Sequence, residues 1–314
     1  MTLTIGLIGL GAMGSGMAQS LRRAGHSPHV FDVRPGAAEA FARDGGHACA
    51  TLADLGARCD VVVSVVVNAA QTESVLFGDG DGGDGDCDGD GSLAAAMQPG
   101  SVFVMCSTVD PNVSMAFESR LAEKDILYID APISGGAARA ASGEMTVMSA
   151  ARPEAYAKAG SVLEDMAGKV YRLGDRAGAG SKVKVINQLL AGVHIAAAAE
   201  AMALGLREGV DPVALYEVIT HSAGNSWMFE NRMAHVLAGD YAPLSAVDIF
   251  VKDLGLVLDM ARASKFPLPL SSTAHQMFMH ASTAGFGKED DSAVIKIFPG
   301  IELPPSKPAG PIEG

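Results

Sequence analysis

At 314 residues and 48% hydrophobic, the chain is long enough for two domains and can bury a sizeable core. Only 5% of it is aromatic, so that core must be mostly Ala, Val, Leu, Ile and Met. The formal net charge of −13 comes with no basic stripe for nucleic acid and no polybasic patch for a membrane surface, so neither partner is expected.

Cys49, Cys59, Cys87 and Cys106 form no C-x-x-C pair and show no metal-ligand spacing. They read as reduced thiols of a cytoplasmic protein without a metal. The N-terminus is apolar but has no basic n-region, which argues against a signal peptide.

Residues 3–8 are a short apolar run, and GLGAMG follows directly. Gly9, Gly11 and Gly14 fit G-x-G-x-x-G around Ala12 and Met13. A helical pattern continues through Met17 and Leu21 to Gly25, a C-cap candidate. A second apolar run, His29 to Phe31, ends in Asp32. This strand–loop–helix–strand context is what the dinucleotide fingerprint requires. Its glycines serve the tight turn, the approach of a pyrophosphate and helix–strand packing. The phosphates rest on the helix N-terminus, where free N–H groups and the dipole favour an anion. Asp32 suits ribose hydroxyls and repels a 2′-phosphate, so NAD is expected; Arg34, two residues on, argues the other way.

Strands and helices keep alternating. Val61 to Val67, Val102 to Met105 and Ile126 to Ile129 read as buried parallel strands. Ligands bind beyond the carboxyl ends of such strands, which makes Val67, Asn68, Ser107, Thr108 and the loop after Asp130 candidate cofactor contacts. Residues 78–91 contain only Gly, Asp and one Cys. Asp84, Asp86, Asp88 and Gly89 imitate the start of a calcium loop, but Ala95 stands where a bidentate Glu is needed. A flexible acidic insertion is the simpler reading.

Ser134, Gly135 and Gly136 offer a hydroxyl and approachable backbone N–H groups before another helical pattern, a turn suited to a carboxylate, or else a plain strand-to-helix turn. Residues 143–149 and 168–173 read as strands and 153–165 as a helix. From Gly178 a long helix runs to Leu206, with Lys184, Asn187 and Gln188 at helical spacing near its start. Its apolar part, about 189–206, is near the length of a membrane span, but His194 and Glu200 favour a buried helix of a soluble protein. Helical patterns follow at 212–221, 226–238, 245–263, 268–284 and 288–298. The fold class is therefore α/β: a doubly wound sheet domain of Rossmann type (1–177), then an all-α domain (178–300) begun by the long helix, then a frayed tail (301–314). That helix is apolar on nearly every face, which predicts a homodimer or homotetramer.

GLIGLGAMG, DAPISGG, GAGSKVKVINQ and KDLGLVLDMA, in that order, resemble the four signatures of the β-hydroxyacid dehydrogenases. The resemblance covers about residues 3–300. Within the family, THSAGNSWMFENRM, SAVDIFVKDLGLV and GKEDDSAVIKIF look most like the L-threonate dehydrogenase branch. It implies an NAD-dependent oxidation of a small hydroxy acid. Lys184 matches the catalytic lysine, Ser134, Gly135 and Gly136 the carboxylate-binding turn, and Thr108 and Lys252 positions near the nicotinamide. Asn187 matches the first amide of Lys-x-x-Asn-Asn; the second Asn is Gln188 here, one methylene longer. Burial at the head of an apolar helix disfavours a lysine's charge, so Lys184 is expected to act as a base.

Several residues keep two readings. His194 is a core or interface histidine or a catalytic one. Trp227, Met228 and Phe229 wall a substrate pocket or pack the helical domain. Asn225 and Ser226 reach a polyhydroxy substrate or do not. Lys182 is expected at the surface, and His221 and Lys288 to Asp291 as caps and surface.

Overall fold

A computed structural model describes residues 3–78 and 91–305. The chain divides into two compact units, the first ending at Val185 and the second beginning at Ile186. The acidic loop candidate of Asp84–Gly89, Cys87 and the end of the tail lie outside the described residues.

The first unit alternates strands and helices. Its strands are β1 (Ile5–Ile8), β2 (His29–Phe31), β3 (His47–Ala48), β4 (Val61–Ser64), β5 (Val102–Met105), β6 (Leu127–Asp130), β7 (Ile133–Ser134), β8 (Thr146–Ala151) and β9 (Lys169–Arg172). Between them run α1 (Ala12–Arg23), α2 (Ala37–Arg43), α3 (Leu52–Arg58), α4 (Ala69–Phe77), α5 (Leu93–Ala96), α6 (Pro111–Ala122), α7 (Gly136–Ser142) and α8 (Pro153–Met166). Among the described residues the sheet order is β3-β2-β1-β4-β5-β6-β8-β7, with β9 on β8. Leu7 pairs with Val63, Val63 with Val104, and Val104 with Ile129, all in parallel register.

Side chains of a strand alternate between faces. Accordingly Leu7, Val63, Val104 and Ile129 join one core with Met17, Leu21 and Val162. Ile8, Val62, Phe103 and Met105 join another with Leu55 and Phe117. Both faces of the central strands are covered, which is why they read as unbroken apolar runs.

One feature goes beyond the sequence reading and one departs from it. β8 pairs antiparallel with both β6 and β7, so the sheet is parallel only as far as β6 and again between β8 and β9. The run expected to continue to Val67 leaves the sheet after Ser64. Gly25, beyond the α1 C-cap Ala24, has φ +93° and ends that helix as expected.

Helix α9 (Ala179–Arg207) begins in the first unit and continues into the second. The second unit adds α10 (Pro212–Thr220), α11 (Trp227–Ala238), α12 (Val247–Ser264) and α13 (Pro269–Ala281). Among its described residues no strand forms, only an isolated bridge between Ala246 and Asp290. Small residues let α9 be approached closely. A side chain at Gly192 would meet Leu254 at 2.9 Å, and one at Gly205 would meet Leu215 at 2.2 Å. Ile195, Ala199 and Met202 are buried, whereas Ile186, Leu190 and Leu204 are exposed. By length and composition α9 could cross a membrane, yet it is not buried all round: 39% of its most apolar stretch is covered within the chain.

The helix expected over 288–298 is a shorter 3₁₀ segment, Asp291–Ile297. Asp290 caps it, accepting from the Ser292 N–H and hydroxyl. The surface expectation holds for Lys288 but not for its neighbours: Asp290 and Asp291 are fully buried. The Asp291 carboxylate takes a two-pronged contact from Arg232 Nε and Nη2.

Candidate active site

The strand order reverses between β1 and β4, and the ends of these strands mark the switch point where an open α/β sheet takes its ligand. The three glycines after β1 differ in what surrounds them. A Cβ on Gly9 would lie 2.5 Å from the Val65 carbonyl oxygen, and one on Gly14 would lie 1.8 Å from the Gly9 carbonyl oxygen. These two are glycines because backbone occupies the space. A Cβ on Gly11 would meet nothing within 4 Å. Gly11 is the N-cap of α1 and supplies no side-chain cap. The first-turn N–H groups, including those of Met13 and Gly14, therefore lack intrahelical acceptors, as the anion-binding start of a helix does. Gly11 and Ala12 are exposed, as a ligand platform must be.

Asp32 follows β2, with its side chain only 6% exposed. Oδ2 accepts the Leu10 N–H at 2.6 Å, and Oδ1 accepts the Arg34 N–H at 2.7 Å and Nε–H at 3.0 Å. Arg34 Nη2 also donates to the Leu10 carbonyl at 2.8 Å. Burial raises the Asp32 pKa, but these hydrogen bonds from Arg34 and Leu10 outweigh it and hold the carboxyl below its ordinary value. The arginine that argued for a 2′-phosphate is thus engaged by the carboxylate that argues against one. Val67 is exposed beyond β4, and Asn68 caps α4 by accepting the Gln71 N–H at 2.8 Å. Ser107 donates to the Val66 carbonyl at 2.8 Å, tying the loop after β5 to the loop after β4; half-buried Thr108 follows it.

Ser134 ends β7, and Gly135 and Gly136 follow with φ of +137° and +72°. This left-handed pair turns the chain into α7, whose N-cap Gly135 offers no side chain.

Lys184 is 6% exposed, on the second turn of α9. Asp130, at the end of β6, fixes the start of that helix. Its Oδ2 accepts the Gly178 and Ser181 N–H groups at 2.8 and 2.9 Å, and its Oδ1 accepts the Ser181 hydroxyl at 2.6 Å. A side chain at Gly180 would lie 2.3 Å from the Met148 carbonyl oxygen, so the helix start is pressed against β8. Burial raises the Asp130 pKa, while the bonds from Ser181 and Gly178 pull it back. Asp130 is a positioning residue that sequence reasoning named only as the start of a loop. Lys182 is exposed, as expected.

In the second unit, Asn187 is half-buried and Gln188 is 7% exposed. Gln188 Nε2 donates to Asp253 Oδ2 at 2.6 Å, and Lys252 Nζ lies 2.6 Å from Asp253 Oδ1. Asp253, 2% exposed, was not singled out from sequence; its only signal was its place in KDLGLVLDMA. Other candidates have structural partners. Asn225 Nδ2 donates to the Thr220 carbonyl and to Glu230, and Ser226 caps α11. Met228 and Phe229 are buried, with Phe229 stacked on Tyr216, while Trp227 is 47% exposed. The His221 ring lies 2.8 Å from the Glu217 carbonyl.

A glycine-lined helix start at the sheet's switch point, with a carboxylate at the end of the next strand, defines a dinucleotide-binding protein of Rossmann type. Residues 4–174 match the family described as the NAD binding domain of 6-phosphogluconate dehydrogenase. Residues 178–298 match that described as the NAD-binding of NADP-dependent 3-hydroxyisobutyrate dehydrogenase. The chain is 68% identical to an L-threonate dehydrogenase of Cupriavidus necator, over 97% of this chain and 99% of that protein. It is 50% identical to an L-threonate dehydrogenase of Escherichia coli K12, over 96% and 97%. The crystal structure of a 3-hydroxyisobutyrate dehydrogenase from Salmonella typhimurium superposes with a TM-score of 0.87 at 50% identity, covering 95% of this chain and 100% of that one. The chain belongs to the β-hydroxyacid dehydrogenase family, and is an NAD-dependent oxidoreductase of that family.

Proposed function

We propose that the protein oxidises L-threonate at C2 to 2-oxo-tetronate, with Lys184 as general base. The observation that carries the substrate is the 68% identity, over nearly the whole chain, to the Cupriavidus necator L-threonate dehydrogenase. Bound NAD would supply the hydride acceptor for C2. The hydroxyl proton must leave in the same event, and Lys184, buried on the second turn of α9, takes it at Nζ. Ser134 and the N–H groups of Gly135 and Gly136 bind the substrate carboxylate, which fixes the reacting carbon. Asn187 and Gln188 position the substrate oxygens. Gly9, Gly11, Ala12, Met13 and Gly14 carry the pyrophosphate, Asp32 the adenosine ribose, and Val67, Asn68, Thr108 and Lys252 the remainder of the cofactor.

We assign domain boundaries at 177/178 and 300/301, a cytoplasmic location, and a homodimer or homotetramer in which a second copy covers the exposed Ile186, Leu190 and Leu204. Sedimentation of a monomer at working concentration would refute the assembly. The second reading of the substrate is 3-hydroxyisobutyrate, favoured by a 33% identical 3-hydroxyisobutyrate dehydrogenase of Pseudomonas aeruginosa; glycerate and tartronate semialdehyde belong to the same reading. One panel separates them: purified protein with NAD or NADP and each acid in turn, followed by NADH or NADPH absorbance. Threonate with NAD is expected to give the highest kcat/KM. No turnover of threonate would sink the substrate assignment.

A further inference from the structure

The second unit contains a chain of contacts that fixes which way two amides point. It runs from Asn187 Nδ2 to Gln188 Oε1 at 3.1 Å, from Gln188 Nε2 to Asp253 Oδ2 at 2.6 Å, and from Asp253 Oδ1 to Lys252 Nζ at 2.6 Å. Side-chain amides can be flipped, because oxygen and nitrogen have nearly the same shape. Here the chemistry of the far end removes the choice. A carboxylate between an amide and a lysine accepts from both, so Gln188 turns its NH₂ to Asp253 and its oxygen to Asn187. Asn187 must then donate through Nδ2, which leaves Oδ1 as the atom it offers to a further donor. Asp253 is deeply buried, and Lys252 Nζ lies against its other oxygen.

Length matters as much as charge. An asparagine at position 188 would fall short by about one C–C bond, ~1.5 Å. The contact to Asp253 would open beyond hydrogen-bonding distance. Gln188 is therefore the residue whose reach connects α9 to the carboxylate on α12.

We infer that Asp253 is a positioning residue that acts through Gln188 to make Asn187 present its carbonyl oxygen, and that this acceptor selects acids carrying a second hydroxyl beside the reacting one. The inference rests on the reading that Asn187 faces the substrate. A hydroxyl of a polyhydroxy acid donates to Oδ1. An acid with hydrogen or methyl at that position leaves Oδ1 unpaired, and loses affinity without any clash. The chain thereby favours 2,3-dihydroxy acids over monohydroxy acids of the same size.

The test compares wild type, Asp253→Asn, Gln188→Asn and the double variant on L-threonate and on 2-hydroxybutyrate, which keeps the reacting hydroxyl and lacks the others. Asp253→Asn keeps the shape but can donate as well as accept, so the amides are no longer fixed. Each single variant is expected to raise KM for threonate about 3–10-fold, the worth of one hydrogen bond. On 2-hydroxybutyrate the rise in KM should be smaller, so that the kcat/KM ratio of threonate over 2-hydroxybutyrate falls about 3-fold or more. The double variant should be no worse than the worse single one, because both substitutions cut the same chain. Gln188→Asn leaves the Asp253–Lys252 pair in place, so it keeps the test valid if Asp253→Asn folds poorly. Equal losses on both acids, or additive effects in the double variant, would overturn the inference while leaving the substrate assignment standing. A wild type that turns over 2-hydroxybutyrate but not threonate would sink both.

Discussion

Ser181 binds both oxygens of Asp130, giving its N–H to Oδ2 at 2.9 Å and its hydroxyl to Oδ1 at 2.6 Å. This pair joins the end of a strand to the first turn of the helix that carries Lys184. Asp130→Ala leaves the Gly178 and Ser181 N–H groups buried without their acceptor, at a cost of about 2–4 kcal/mol. It is also expected to lower kcat, since the helix start is no longer fixed. Asp130→Asn keeps one acceptor oxygen and should lose about half as much stability. Chemical denaturation of the two variants gives the comparison; equal stability of wild type and Asp130→Ala would show that the contact does not anchor α9.

Gly11 and Gly14 belong to one motif but should fail differently when given a methyl group. At position 14 a Cβ meets the Gly9 carbonyl oxygen at 1.8 Å, so Gly14→Ala is expected to destabilise the first unit by several kcal/mol or prevent its folding. At position 11 the Cβ meets nothing, and Gly11→Ala should fold with an unchanged melting temperature. It should nonetheless bind NAD at least ten-fold more weakly, because the methyl group stands where the pyrophosphate approaches. Calorimetry of folded Gly11→Ala with NAD decides the matter; wild-type affinity would place the pyrophosphate elsewhere.

Cofactor choice turns on the pairing of Asp32 and Arg34. Asp32→Asn keeps an acceptor for the Leu10 N–H but removes the charge that engages Arg34. NAD loses a charged ribose acceptor, worth ~1.5–3 kcal/mol, and a 2′-phosphate gains an arginine. The ratio of kcat/KM for NAD over NADP is expected to fall at least ten-fold, with NADP use rising in absolute terms. A fall in NAD use alone would mean that Arg34 does not reach a 2′-phosphate.

The legible part of the sequence was the part written in local pattern. The glycine fingerprint follows from turn residues, the buried strands from short unbroken apolar runs, and the helical second unit from a period of 3.6. An apolar run carries no direction, so nothing in MTVMSA announced that β8 runs antiparallel to β6. The two-residue β3 is exposed and shows no alternation. Asp253 and Asp130 stayed hidden for another reason: their partners lie 65 and 51 residues away in sequence, and only folding joins them. The family resemblance implies that Lys184 is a base. The structure adds that it is buried, and that its helix is anchored by a carboxylate one turn earlier.

Lys184→Met tests the assigned chemistry with little change in shape. If Lys184 takes the hydroxyl proton, the variant should lose about 10²–10⁴-fold in kcat. NAD affinity should change less than two-fold. A variant with more than a tenth of wild-type kcat would remove Lys184 from the proton transfer.

The buried pair of Arg232 and Asp291 should give the protein a stability slope opposite to that of an ordinary surface carboxylate. Burial pushes the Asp291 carboxyl up to about 6 from 3.8, although the charge and hydrogen bonds of Arg232 pull it down. Between those two values the folded chain holds more protons at this site than the unfolded chain. Stability contributed by the group is therefore fully present below the unfolded value and is lost as pH rises through the folded one. A difference of about two units corresponds to roughly 3 kcal/mol at most. Asp291→Asn cannot take up this proton, and it leaves every other carboxylate in place. The stability of wild type minus that of the variant should therefore grow as pH is lowered from 7 to 4. Urea denaturation of both proteins at several pH values measures that difference. A difference that shrinks toward low pH would mean that Asp291 is held below its ordinary value by Arg232, as a strong ion pair, with burial the smaller effect.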